Sequence, residues 1–215
     1  LATSQSHTHR IFVGNVWTKD MRKELLGHTV PVHAVAFAGL HHLISADQSG
    51  SIILWDHHRS RALLPWSNTS SEFVGKRQIS RSAIGVLQAA DHHIFAGTAD
   101  GSVVCLDVER ATYPALVMRT AHAQKISSID ARLSASNLVA TSADDGFAKV
   151  WDTRTGQATL KLLADSELVE QVQFGCAHQI LTCGSTGVRL WDMRTSNVLM
   201  TPLEEPTQAF TYDGS

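Results

Sequence analysis

The chain has 215 residues, 43% of them hydrophobic, and 18 Lys and Arg against 20 Asp and Glu give a formal charge of −2. That length and apolar content suffice for one large all-β domain or two small domains. The charge balance, with no long basic run, argues against a nucleic-acid footprint, which needs clustered Lys and Arg to neutralise phosphates; nor does any apolar run approach the roughly 18 residues that span a bilayer as a helix.

Taken in order, residues 1–9 are rich in Ser and His and lack a signal-peptide core, so they are expected to be disordered, in an intracellular, cytoplasmic or nuclear protein. Residues 10–29 turn apolar at Ile11, Phe12, Val13, Val16, Trp17, Leu25 and Leu26 before Gly27 and His28, and read as the end of a structural unit. A first complete unit follows at 30–65: an alternating strand from Val32, a turn near Gly39, a strand from Leu43, a turn at Gly50, a strand ending at Trp55 and a fourth strand after Arg61. Residues 66–78, rich in Ser and carrying Asn68, Lys76 and Arg77, are expected to be a surface loop. The four-strand pattern returns at 79–119, 122–163 and 165–203, and residues 204–215 look like the start of another unit. Three cysteines with no C-x-x-C pair are expected to be buried or half-buried free thiols. Both ends are expected to be cut from a longer protein.

The units are copies of one another. Trp55-Asp56, Leu106-Asp107, Trp151-Asp152 and Trp191-Asp192 close equivalent strands at intervals of roughly 40–50 residues, a period that marks a repeat architecture. Four short antiparallel strands per period are the signature of a propeller blade. With Gly27-His28 opening a period and Trp55-Asp56 closing it, the chain resembles the WD-repeat family over residues 11–212. The resemblance implies an all-β WD-repeat β-propeller: four complete four-stranded blades with partial blades at both ends, as a fragment of a seven- or eight-bladed ring.

It also implies a structural hydrogen-bond network in each blade: a His before the first strand, a Ser or Thr on the second, an Asp in the next turn and the Trp indole N–H. The 122–163 unit has the full set in His122, Thr141 (or Ser142), Asp145 and Trp151. The first keeps His28, Ser45 and Trp55 with Ser49 at the Asp position, so a weaker network is expected there. The second keeps Asp100 but has Leu106 for Trp and no aligned His; the fourth keeps Trp191 with Asp165 and Ser185 at the His and Asp positions. A base, an acid and a hydroxyl also make a catalytic triad, but recurrence in partial copies points to architecture, and no G-x-S-x-G, P-loop or H-E-x-x-H is present.

The function expected from the family is a non-catalytic scaffold for other proteins in a multiprotein complex, without cofactor, metal or membrane. Two copies of Trp-Asp-x-Arg resemble the motif of substrate receptors that dock on a cullin-4 ubiquitin-ligase adaptor, with Arg154 and Arg194 as the exposed cations; Lys76 and Arg77 are further candidates for partner binding. A role in RNA-processing or ribosome-assembly complexes is the other alternative. His41, His42, His92, His93, His178, His57 and His58 fall in turns expected on one rim, where exposed histidines without function are the simpler reading.

Overall fold

The computed structural model describes residues 2–4, 9–14, 21–38, 42–56, 61–62, 76–107, 114–119, 121–176 and 178–203. They divide between two compact units, Leu1–Ala99 with Val104–Ala115, and Asp100–Val103 with Leu116–Ser215.

In the first unit, β1 (Ala2–Ser4), β2 (Arg10–Gly14) and β3 (Met21–Leu26) form a three-stranded antiparallel sheet. Residues 2–4 thus correct the expectation of disorder through residue 9: β2 offers an unpaired edge, and the β-compatible Ala2-Thr3-Ser4 run pairs with it from Ala2↔Val13. The second sheet contains β4 (Val32–Ala38), β5 (His42–Asp47), β6 (Ser51–Asp56), β7 (Arg61–Ala62) and β8 (Lys76–Gln78). Here the expected loop 66–78 is corrected at its end. Both β7 and β8 pair with β6, at Trp55↔Ala62 and Ser51↔Gln78 respectively, so Lys76–Gln78 belong to the sheet. The loop-like composition of 66–75 hid the three residues that resume the ladder.

A third sheet has β9 (Ile84–Ala90), β10 (His93–Thr98), β11 (Val103–Asp107) and β12 (Pro114–Met118) in sequential order. The second strands read as continuous buried runs rather than alternations: residues 43–47 of β5 and 94–98 of β10 are all buried, because each strand is covered on both faces. Ile44, Ala46, Ile52 and Leu54 pack on Ile84, Leu87, Ile94, Val104 and Leu106, and Ile11, Val13 and Leu25 pack on Leu43, Ile53 and Trp55. Each large apolar side chain fully buried this way stabilises the fold by about 1.5–3 kcal/mol.

The second unit holds two further four-stranded meanders. One is β13 (Ile126–Arg132), β14 (Leu138–Ala143), β15 (Phe147–Asp152) and β16 (Gln157–Leu163); the other is β17 (Val169–Phe174), β18 (Gln179–Gly184), β19 (Gly187–Asp192) and β20 (Asn197–Leu203). A four-residue helix, α1 (Leu133–Ser136), makes the β13–β14 turn and closes on Asn137, whose left-handed φ of 53° suits Asn. Ala140, Ala148 and Val150 face Val169, Val172, Phe174, Ile180 and Trp191. Polar groups fix the register of this contact. The Asp130 carboxylate accepts the Phe174 N–H at 2.7 Å, Arg132 donates to the Gly175 carbonyl while its guanidinium lies 4.9 Å from the Phe174 ring centroid, and the Ser127 hydroxyl donates to the Val169 carbonyl. Burial pushes the Asp130 carboxyl up, against these hydrogen bonds.

One device recurs between consecutive sheets. Gly50, Gly101 and Gly146 sit at φ of 83°, 78° and 79° in the turn before the third strand. Their carbonyls accept N–H groups from the segment leading into the next sheet: Ile79 and Ser80 at Gly50, His122 at Gly101, Ala164 and Asp165 at Gly146. The backbones approach so closely that a Cβ on Gly101 would lie 2.2 Å from the His122 carbonyl oxygen. Only glycine meets both conditions.

Candidate functional site

His122, Thr141, Asp145 and Trp151 come together in the β13–β16 sheet. β14 and β15 pair in register (Thr141↔Lys149), and Trp151 two residues further on reaches back across the pair. Trp151 Nε1–H donates to Thr141 Oγ1 at 2.9 Å; Thr141 Oγ1 lies 2.8 Å from His122 Nε2; His122 Nδ1 lies 3.0 and 3.1 Å from the two oxygens of Asp145. Asp145 is ionised and only accepts, so His122 carries its proton on Nδ1. Nε2 then accepts from the Thr141 hydroxyl, which in turn accepts from the indole. The chain of donors is closed with a neutral imidazole. Burial lowers the His122 pKa, with Asp145 opposing, and Asp145, although burial works against it, is held below the usual carboxylate range by the Ala123 N–H and His122. Ser142, the alternative hydroxyl, instead meets Ser127 Oγ at 2.9 Å.

The β4–β8 sheet has the same chain through a different acid, which corrects the expected weak network. Trp55 Nε1 donates to Ser45 Oγ at 2.8 Å, Ser45 Oγ is 2.6 Å from His28 Nε2, and His28 Nδ1 is 2.7 Å from Asp47 Oδ2. Ser49, aligned with Asp145 by its distance from the Trp, donates its N–H and hydroxyl to Asp47 Oδ1. Asp47 ends β5, four residues before Ser51, whose N–H it also accepts. Alignment by spacing from Trp55 misses it, because the carboxylate reaches the same histidine from the strand end instead of the turn.

In the β9–β12 sheet no histidine stands at the lead-in position, where Ser80 takes its place. Ser80, the residue bound to Gly50, accepts the Ser82 N–H at 2.9 Å, while Asp100 accepts the Ser102 N–H at 3.2 Å. In the β17–β20 sheet Trp191 still donates to Thr182 at 2.9 Å, but the polarity of the lead-in contact is inverted. Buried Asp165 accepts from Ser185 Oγ, Thr186 N and Oγ1, and Glu167 N at 2.6–3.0 Å. Against the effect of burial, the Thr186, Glu167 and Ser185 donors hold its pKa at about 2. The acid has moved to the lead-in loop and the hydroxyls to the turn. Thr186 was not singled out in the sequence; its adjacency to Ser185 was the available signal.

The candidate cations behave differently. Arg154 and Arg194 are 71% and 66% exposed, yet each guanidinium forks onto the Asp two residues before it: Nε and Nη2 of Arg154 on Asp152 at 3.2 and 2.9 Å, and those of Arg194 on Asp192 at 3.1 and 2.7 Å. Hydrogen bonds from the arginines hold both aspartates at about 2. These are surface forks with internally balanced charge rather than free cations. Lys76 and Arg77 contribute backbone to β8, pairing at Ile53↔Lys76 and Ile52↔Arg77. His42 and His93 begin β5 and β10, and His92 and His178 are exposed in turns. His41, His57, His58 and residues 204–215 lie outside the described residues. Among the described residues no three His, Cys, Asp or Glu side chains gather as a metal site. Of the cysteines, Cys105 and Cys183 are buried, but Cys176 is exposed at a turn, which corrects the expectation for that thiol.

Comparison with known proteins follows the repeat. The signature described as "WD domain, G-beta repeat" matches residues 19–56 and 115–152. U3 small nucleolar RNA-associated protein 15 of Saccharomyces cerevisiae is 29% identical over 159 residues, 72% of this chain and 29% of the yeast protein. The WD repeat-containing protein DDB_G0292056 of Dictyostelium discoideum is 21% identical over 64% of this chain and 8% of its own length. Among solved structures, a chain in the crystal structure of the mitotic checkpoint complex superposes with a TM-score of 0.78 at 16% identity, covering 92% of this chain and 58% of that one. The computationally designed Ika8 protein gives 0.79 at 22% identity, covering 99% and 62%. At these identities the structural matches speak for the fold alone.

Proposed function

Since the chain belongs to the WD-repeat family, with its all-β fold of four-stranded propeller sheets, we propose that it is a non-catalytic interaction scaffold, one subunit of a multiprotein complex. The observation that carries this reading is the internal closure of the His–hydroxyl–acid sets. His122 Nε2 and Nδ1 are both taken, the Thr141 hydroxyl is shared between His122 and the Trp151 indole, and the histidine is buried. A nucleophile in such a set has neither a free base nor access to substrate, so its chemistry is spent on holding strands together. Family membership supports the same conclusion, and the exposed turns are then the surfaces left for partners.

The subset of complexes is a finer proposal. Similarity to a yeast small nucleolar RNA-associated protein favours a nuclear complex in ribosome assembly, with this chain contributing protein contacts rather than a basic RNA-binding face. Isolation of the tagged protein from nuclear extract tests both levels. A fixed set of co-migrating proteins that survives nuclease digestion, with a small nucleolar RNA recovered before digestion, is the expected result. A chain migrating alone, or one that turns over an ester or peptide substrate in a Thr141-dependent manner, overturns the scaffold reading; a stable complex without such an RNA overturns only the ribosome-assembly assignment.

A further inference from the structure

The β13–β16 and β17–β20 sheets present the same turn end with two differences. Register places Leu138 opposite Asp152 and Gln179 opposite Asp192, then Asp152 opposite Gln157 and Asp192 opposite Asn197. Leu138 and Thr159 in one sheet therefore correspond to Gln179 and Leu199 in the other. The Thr159 hydroxyl donates to its own sheet, at the Val150 carbonyl, so that end satisfies itself. At the other end Leu199 is 50% exposed, and the half-buried Gln179 side-chain amide has no hydrogen-bond partner among the described residues. Both line a cavity of about 360 Å³ with Cys176, His178, Asp192 and Arg194. Its floor is mainly apolar, and the volume falls at the small end of ligand sites.

We propose that this cavity binds a neutral, extended segment of a partner protein, taking one aliphatic side chain against Leu199 and Cys176 while the Gln179 amide pairs with the partner's peptide group. Chemistry selects that occupant. A primary amide offers one acceptor and two donors, matching the donor and acceptor of a backbone peptide unit. Asp192 and Arg194 on the rim are joined through two guanidinium contacts and a backbone N–H, so neither calls for a counter-charge. A charged side chain entering here would lose hydration without gaining a partner. This rests on the scaffold reading and names the class of partner segment.

The test is a titration of the ¹⁵N-labelled 23.4 kDa chain with three capped peptides, acetyl-Gly-Leu-Gly-amide and its Asp and Lys counterparts, followed by ¹H–¹⁵N NMR. The leucine peptide is expected to shift Cys176, His178, Gln179 and Leu199 and to bind about tenfold more tightly than either charged peptide. Gln179→Leu and Leu199→Thr, which install the residues of the neighbouring sheet, are each expected to weaken it by about fivefold or more while the rest of the spectrum stays unchanged. No shift at these residues, equal or tighter binding of a charged peptide, or unaltered affinity in both variants overturns the proposal. Retention of the co-purifying complex by Gln179→Leu/Leu199→Thr, alongside any of those results, removes this pocket and leaves the scaffold reading standing.

Discussion

Replacing Thr141 by Val removes one hydroxyl of nearly unchanged shape, so the cost comes from hydrogen bonding rather than from a cavity. That hydroxyl serves two buried groups, the Trp151 indole N–H at 2.9 Å and His122 Nε2 at 2.8 Å. Each is left unsatisfied, and an orphaned buried polar group costs about 1–3 kcal/mol, so Thr141→Val is expected to destabilise its sheet by about 2–6 kcal/mol. Thr141→Ser keeps the hydroxyl and loses a methyl, for about 1 kcal/mol. In the double variant Thr141→Val/Trp151→Phe the indole donor is gone, so the pair is expected to cost about 1–2 kcal/mol less than the sum of the singles. Hydrogen exchange of the β14 and β15 amides is the appropriate readout, since it reports local opening in a chain of two units where a single unfolding free energy is not defined. A Thr141→Val protein within about 0.5 kcal/mol of the parent, or a Thr141→Ser protein equally destabilised, refutes the donor chain derived above.

Four further outcomes follow from the same geometry. His122 has a lowered pKa in the folded state, so the unfolded chain binds more protons near its ordinary value of 6.5; protection of β14 and β15 is expected to fall as pH drops below that value, and His122→Gln to flatten the dependence. Asp165 is depressed from 3.8 to about 2, so its contribution of about 2 kcal/mol is present above pH 4 and lost as pH falls toward 2, and Asp165→Asn removes it at neutral pH, as read from exchange at β18 and β19. Gly146→Ala forces a Cβ to 2.7 Å from the Asp165 carbonyl oxygen at a φ of 79° and is expected to lower local stability by about 1–3 kcal/mol as read from hydrogen exchange at β15 and β16, with Gly175→Ala at negative φ as a milder control. Under native conditions a thiol reagent is expected to modify Cys176 alone, because Cys183 is buried and burial pushes the Cys105 thiol up to about 12.

The repeat was legible because its marks are local. A large aromatic on the strand next to a hydroxyl, a glycine in the preceding turn and runs of β-branched residues recur at a fixed period, and each has a reason confined to one sheet. The His122 set was legible for the same reason. What the sequence concealed depends on reach rather than spacing. Asp47 substitutes for an acid two positions further on because a side chain at the strand end and one in the turn converge on the same imidazole. The Arg154 and Arg194 forks were hidden because the motif shows a cation, and only geometry shows that the preceding aspartate has already taken it. The strand at Lys76–Gln78 sits in polar, loop-like composition and is specified by the partner edge it completes.

The Gly50 carbonyl has a consequence for how such a chain can change. It receives Ile79 and Ser80 whatever path the polypeptide takes between Ala62 and Lys76. The place where the chain rejoins its sheet is thus set by a backbone address within a turn, not by the length of the excursion. In general, doubling the length of a closed loop costs only about 0.6 kcal/mol in closure entropy. The fourth strand is therefore a port at which new sequence, even a whole folded module, can be acquired while the neighbouring sheets keep their register.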